Sequence, residues 1–498
     1  MDYARTRRFL EDAWQFSGEK RSTIVAALEE YIRIPNDSPE FDPDWAKHGH
    51  MDDAMDMLLK TTDDLAAEWE RKGCLISDIV MKIVGSRRAP IMDESGNRRT
   101  PLLVIDIPAF GEAAGGTALL YGHMDKQPAL EDQWAEGLSA REAVIKDGKL
   151  YGRGGGDDGY ALFSAFSAIM ALREQGLPHS RCVVLVEAGE ESGSPDLEFY
   201  INELSKELGD VTLIVCLDSG AENYDQLWIT SSLRGMARCT LSVEVLKNGV
   251  HSGASSGAVP SSFHILNELI ARIEDPYTGE ITPPALKTDI PPHIVDGVEK
   301  MVAVVGADEL RGKFPLVSGA KPVVNDPVKL TLNRTWRTQL AVIGIDGLPP
   351  VEGSGNVMLP WTRAALSFRL PPTLNADEAA GEIKRIVEPN PPYGAKVKLT
   401  VENTGNGWAA PKPSDWLAKA TEEASGAFFG KEPMSTGEGG SIPFMNMLQE
   451  KFPRAQFVVT GVLGPRSNAH GPDEFLHLPF CQKVTMCVAK ILAEHAKA

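Results

Sequence analysis

Short apolar runs that end in a carboxylate or a histidine are the feature that most constrains how this chain can fold. TALLYG (117–122) leads into His123, CVVLVEA (182–188) into Glu190 and Glu191, TLIVCLD (212–218) ends in Asp218, and AQFVVTGV precedes His470. With IVMKIV (79–84) and LLVIDI (102–107), these runs have the length and β-branched content of buried strands. Between them the period changes. Residues 22–34, ending near Pro35, and residues 160–175 repeat apolar side chains at helical spacing, as do Met55, Leu58, Leu59, Leu65 and Trp69 within 52–72. Strands alternating with helices predict an α/β domain, with a mostly parallel twisted sheet flanked by helices.

Near residue 229 the pattern shifts. MARCTLSVEV (236–245) alternates as a half-exposed strand does, SSFHILNELIARI (261–273) has a helical period, and KLTLNRTW and RAALSFRL read as strands. This mixture predicts a smaller α+β domain over 230–407, inserted into a discontinuous domain made of 1–229 and 408–498. NPPYGAK and NTGNGWAAPKP, rich in Pro and Gly, supply hinges at the return. The length of 498 residues also exceeds what one ordinary core organises.

The charge balance narrows the partners. With 69 acidic and 50 basic residues the chain carries −19 at pH 7, which disfavours nucleic acid and anionic membrane surfaces. Its longest apolar runs fall far short of a membrane span, and Glu11 and Asp12 interrupt any leader-like stretch near the start. The six cysteines are scattered without a CxxC pair, so reduced thiols and a cytoplasmic location are expected.

The polar strand ends carry the chemistry, because open α/β sheets bind ligands at the carboxyl ends of their strands. In LLYGHMDKQP, His123 and Asp125 are two positions apart and can point the same way. LYGRGGGDDGYALF places Asp157 and Asp158 at the exit of a glycine turn. Such a turn can cradle phosphate, but it lacks the GK[ST] ending, and two carboxylates at its mouth would repel an anion. Glu190 and Glu191 are costly at a buried strand end unless a cation or proton compensates them. Taken singly, each residue has an ordinary structural explanation. Taken together, two imidazoles and several carboxylates form a nitrogen and oxygen donor set that suits zinc, with manganese or cobalt as substitutes.

The order HxD, GRGxxD, EExGS, D, H resembles the zinc metallopeptidase family of carnosine-type dipeptidases, glutamate carboxypeptidases and aminoacylases. LYGRGGGDDG, LRG near residue 234, VHSGASSG, FRLPP and GEGGSIP are most similar to its dipeptidase branch. The resemblance implies two zinc ions per subunit, His123 and Asp218 holding one, Glu191 and His470 the other, with Asp157 between them. It implies Glu190 as general base and Asp125 as the residue that orients His123. It further implies that the inserted domain is a lid and dimerisation domain, and that the enzyme is a homodimer in which His251 reaches the partner subunit's active site. Asn356 and Arg369 match substrate-contacting lid residues, and Gly439, Gly440 and Ser441 match a loop that receives the substrate's carboxylate end. Two positions depart from the pattern: Gly159 and Tyr160 stand where Lys-Gly is common, and Gly437 where the dipeptidase branch often has arginine.

The expected activity is hydrolysis of a dipeptide or short peptide with a free C-terminal carboxylate, by metal-activated water and a glutamate base. N-acyl amino acid deacylation is the alternative within the same centre. A non-catalytic metal-binding interaction protein would require a defect in the centre, and none is visible. A serine hydrolase lacks its GxSxG elbow.

Overall fold

The apolar runs assemble into a six-stranded sheet in the computed structural model, which describes residues 1–498 apart from 19–20, 75, 77 and 441–443. In chain order the strands of the two main sheets are β1 (Val80–Val84), β2 (Leu102–Ile107), β3 (Thr117–His123), β4 (Cys182–Glu187), β5 (Val211–Cys216), β6 (Gly235–Glu244), β7 (Gln339–Asp346), β8 (Trp361–Leu370), β9 (Lys396–Gly405) and β10 (Gln456–Val459). The chain divides into two compact units. Unit 1 comprises Met1–Thr230, Ala410–Thr436 and Met447–Ala498; unit 2 comprises Ser231–Ala409 and Gly437–Asn446.

In unit 1 the sheet order is β1-β2-β4-β3-β5-β10. The pairings β4/β3, β3/β5 and β5/β10 are parallel, while β1/β2 and β2/β4 are antiparallel. The sheet is therefore mixed, with its parallel strands contiguous. Every residue of β3 is buried, as expected of a strand covered on both faces. One cover is the helix Ala161–Glu174, in which each residue from Ala161 to Arg173 is buried. A helix that is apolar all round belongs inside a domain. It packs against the long helix Leu478–His495, and a 2.8 Å hydrogen bond joins Ser164 Oγ to Thr485 Oγ1 between them. The helices Thr23–Arg33 and His50–Arg71 form where the apolar spacing places them, the first capped by Ser22 Oγ accepting from the Val25 amide.

Unit 2 is built on an antiparallel sheet in the order β7-β8-β6-β9. Alternation along β6 buries Ala237, Cys239, Leu241 and Val243, and β8 contributes Ala364, Leu366, Phe368 and Leu370 to the same core. The helices Ser262–Ile270 and Ala376–Val387 close over that face with Leu266, Leu269, Ile383 and Val387. The run KLTLNRTW (329–336), read as a strand from its sequence, is instead helical and belongs to Pro327–Thr335. Asp326 caps this helix by accepting from the Lys329 amide at 2.9 Å, and Pro327 occupies its first turn. Thr331, Leu332 and Thr335 then bury one face at helical spacing, which outweighs the alternation of the short run.

Candidate metal centre

β4, β3, β5 and β10 lie side by side and run parallel, so the loops leaving their carboxyl ends open along one edge of the sheet. His123 is the last residue of β3. Glu190 and Glu191 form a short turn after β4, Asp218 stands just beyond β5, and His470 comes from the loop that follows β10. Asp157 arrives from the glycine-rich turn before the helix Ala161–Glu174, and its peptide bond to Asp158 is cis. Close approach requires glycine at 122: a Cβ there would lie 2.4 Å from Ala161 Cβ and 2.8 Å from Asp158 Oδ2.

The five candidate ligands converge. His123 Nε2 lies 3.2 Å from Asp157 Oδ1 and 3.9 Å from Asp218 Oδ2. His470 Nε2 lies 3.2 Å from Asp157 Oδ2 and 3.3 Å from Glu191 Oε2. Two donor groups result, His123–Asp157–Asp218 and Asp157–Glu191–His470, each with its ligand atoms within 4.8 Å of one another. Asp157 belongs to both, with one oxygen toward each. His470 has φ 62°, and Arg466, Asn468 and Asp473 of the same loop also have positive φ, an uncommon cluster of left-handed non-glycine residues.

The electrostatics fit a cationic occupant. Burial and the neighbouring charge of Asp157 push Glu191 up to about 8, and burial raises Asp218 to about 6. Burial, and then Asp218, hold Glu190 well above the usual carboxylate range. Carboxylates crowded together out of water resist ionisation, and a divalent cation reverses that balance. Glu191 Oε1 is buried without a hydrogen-bond partner among the described residues, a free acceptor within the donor set.

Asp125 holds the turn of Glu190 and Glu191. Its carboxylate accepts from the amides of Glu190 at 3.1 Å and Glu191 at 2.9 Å, fixing the turn that carries both. His123 Nδ1 lies 3.1 Å from the Asp125 carbonyl oxygen and 3.4 Å from its carboxylate.

Glu474 and Gln127 escaped the sequence reading, while Asp158 and Tyr160 were named in it without a supporting role. Glu474, fully buried, accepts from the amides of Gly154, Gly156 and Asp157 and from Arg153 Nη1 at 2.8 Å, so it clamps the glycine turn. Its position in GPDE, close after His470, is the one signal that could have marked it. Gln127 Nε2 donates to Glu191 Oε2 at 2.5 Å. Asp158, which burial drives toward its protonated form, accepts from the His123 amide at 3.2 Å. Tyr160, at one of the departing positions, donates its hydroxyl to the Leu217 carbonyl next to Asp218.

The remaining predicted residues lie in unit 2. His251 is exposed, pairs with Val357 across a short antiparallel bridge, and accepts from the Gly253 amide at Nδ1. The Asn356 carbonyl accepts from the Ser252 amide at 2.9 Å, so His251 and Asn356 are brought together. Arg369 sits on β8 opposite Met236 of β6. Burial, then the guanidinium groups of Arg369 and Arg334, disfavour the charge of Arg234, whose Nε donates to the Gly439 carbonyl at 3.2 Å. Gly440 is exposed, and Ser441 lies outside the described residues. At Gly437 a side chain has no room, since a Cβ would lie 2.7 Å from Ser232 Oγ and 2.9 Å from Thr335 Cβ.

Residues 119–494 match the family described as peptidase family M20/M25/M40. The chain belongs to that family. It is a hydrolase acting on peptide bonds; the family implies divalent metal binding, and the two donor groups are candidates to hold the metal. Among its M20 relatives, a cysteinylglycine-S-conjugate dipeptidase of Corynebacterium striatum is 28% identical over 389 residues, covering 76% of this chain and 81% of the relative. A β-Ala-His dipeptidase of Homo sapiens is 26% identical over 450 residues, covering 89% and 84%. The crystal structure of human carnosine dipeptidase 1 shares the M20 fold with a TM-score of 0.74 at 20% identity, covering 100% of this chain and 99% of that one. These relatives place the chain in the dipeptidase branch of M20.

Proposed function

We propose that this M20 peptidase is a di-zinc dipeptidase that cleaves dipeptides or short peptides bearing a free C-terminal carboxylate. The observation that carries the proposal is the pair of donor groups sharing Asp157, with Glu190 on the turn beside them. His123 and Asp218 would hold one ion, Glu191 and His470 the other, and Asp157 would bridge both. Manganese or cobalt would substitute for zinc in such a donor set. Bound there, the ions would polarise the scissile carbonyl and lower the pKa of a water toward neutrality.

The chain's own residues do the rest. Glu190 takes the water's proton as the carbonyl carbon is attacked and delivers it to the leaving amine. Asp125 keeps Glu190 and Glu191 in register through their amides. In unit 2, His251 and Asn356 stabilise the developing oxyanion, each such donor being worth roughly 3–4 kcal/mol. His251 acts on the partner subunit's site in a homodimer. Arg369, with Gly439, Gly440 and Ser441, receives the substrate carboxylate, a role supported by the gathering of Arg234, Arg334 and Arg369 near one another. The six free, buried cysteines support a reducing, cytoplasmic setting. Among the described residues, no helix is long and apolar enough to cross a membrane.

A panel of dipeptides, longer peptides and N-acyl amino acids, assayed with zinc or manganese and with a chelator control, tests the proposal. Chelator-sensitive cleavage of dipeptides is expected. Turnover confined to N-acyl amino acids would replace the proposal with deacylation, and no chelator-sensitive turnover of any class would refute it.

A further inference from the structure

The two donor groups are not equally enclosed. The side chains of His123, Asp157, Asp218 and Glu191 are at most 11% exposed, whereas that of His470 is 59% exposed. His470 is also left-handed in its backbone, as are Arg466, Asn468 and Asp473 around it. A residue with a side chain keeps that conformation only where its surroundings impose it. His123, by contrast, ends a strand in which every residue is buried. The Asp157–Glu191–His470 group therefore depends on support from outside its own ligands.

Part of that support is local. Asn468 Nδ2 closes the loop on itself by donating to the Pro472 carbonyl at 2.6 Å, and Asp473 accepts from the Ala135 amide at 2.8 Å. Arg153, the arginine of LYGRGGGDDG, joins the loop to the segments of the other two ligands. It is buried, and its guanidinium has three acceptors. Nη2 donates to the Gly471 carbonyl at 2.7 Å, Nη1 to Glu474 Oε2 at 2.8 Å and Nε to the Pro128 carbonyl at 3.1 Å. Gly471 directly follows His470. Glu474 accepts from the Asp157 amide. Pro128 directly follows Gln127, whose Nε2 donates to Glu191 Oε2. One planar fork, with its N–H directions fixed, thus braces all three members of this group.

We propose that Arg153 is the positioning residue of the Asp157–Glu191–His470 group and sets the affinity of the ion held there without touching it. The proposal rests on the two-ion reading of the centre. The ion of the His123–Asp157–Asp218 group depends on Arg153 far less. His123 is held by its strand, and Glu474 keeps its bonds to the glycine-turn amides when the arginine changes.

The test is calorimetric titration of zinc, buffered by a competing chelator, into the metal-stripped full chain. His470→Ala and Asp218→Ala assign the binding steps to the two groups. Arg153→Lys keeps a positive charge facing Glu474, but a single nitrogen cannot reproduce a three-nitrogen fork. It is expected to weaken the step that His470→Ala removes by about 10–100-fold, the usual effect of losing a partner behind a metal ligand, and to change the other step by less than about threefold. Should Arg153→Lys not fold, Arg153→Met combined with Glu474→Gln removes both buried charges, and comparison with Glu474→Gln alone isolates the arginine's effect on the same step. Equal weakening of both steps, as a purely structural role would give, overturns the proposal, and so does unchanged affinity at both; either result leaves the two-ion reading standing. A wild-type chain that binds fewer than two ions overturns both.

Discussion

Asp125 and Glu190 illustrate how much one side chain of this centre depends on another. Asp125 spends its carboxylate on two amides, and Glu190 is thereby held on a fixed turn with its acid form favoured by burial and by Asp218. Glu190→Ala removes the base without touching a proposed ligand. It is expected to lower kcat by about 10²–10⁴-fold while metal content by atomic absorption stays at the wild-type value. Full activity in that variant would remove Glu190 from its role. A different residue, His179, contributes to acid sensitivity. Burial lowers His179 to about 4, and its neutral ring donates from Nδ1 to the Ser180 carbonyl at 2.7 Å and accepts from Arg173 Nε at 2.9 Å. Unfolded, the same imidazole titrates near its ordinary value of about 6.5. Between about 6.5 and about 4 the unfolded state binds the extra proton, so this contribution is complete above that window and lost as pH falls through it. Melting temperature should fall from about pH 7 to about pH 5, and His179→Gln should flatten that slope; a variant with the wild-type slope would assign the acid sensitivity elsewhere.

At the level of elements, the centre exists because four parallel strands end together. β4, β3, β5 and β10 deliver candidate ligands from loops of very different length, and the glycine turn between β3 and β4 adds Asp157. That turn follows the short strand Lys149–Tyr151, and Glu474 adds a constraint through three amides and Arg153. Glu474→Gln keeps the shape but removes the charge that strengthens these bonds, at a cost of about 1.5–3 kcal/mol per affected interaction at most. The expected result is weaker divalent metal binding by calorimetry, about tenfold, with dipeptide KM little changed once metal is saturating. Unaltered metal affinity would show that the turn is held without Glu474. Tyr160 acts in the same sense on the other side, tying the helix start to the backbone beside Asp218. Its departure from the Lys-Gly pattern therefore has a structural use in this chain.

For the whole molecule, the proposed exchange of His251 requires two copies. The edge strand β7 exposes Val342, Ile343 and Ile345, a row of apolar side chains beside unpaired backbone groups. Edges of this kind are normally covered or charged in solution. A homodimer is the expected state by multi-angle light scattering, and His251→Ala subunits mixed with Glu190→Ala subunits should regain part of the activity that each lacks alone. A fully active monomer would overturn the exchange.

Much of this was legible in the residues themselves. β3, β4 and β5, the helix Ala161–Glu174 and the alternation of β6 follow local periods that burial imposes directly on sequence. The polar residues at strand ends, His123, Glu191, Asp218 and His470, were visible too, but each had an ordinary structural explanation by itself, and only their order and chemical mix pointed to a metal. The run 329–336 misled because it is short, and its capping residue Asp326 lies outside it. What tertiary structure alone decided is which distant groups meet. Asp157 faces His123 with one oxygen and His470 with the other, and Glu474 reaches amides more than three hundred residues earlier in the chain. Local pattern reports how much each residue wants to be buried. Only the packed sheet fixes which buried charges are neighbours, and that arrangement makes the carboxylates and imidazoles of this chain a candidate metal centre.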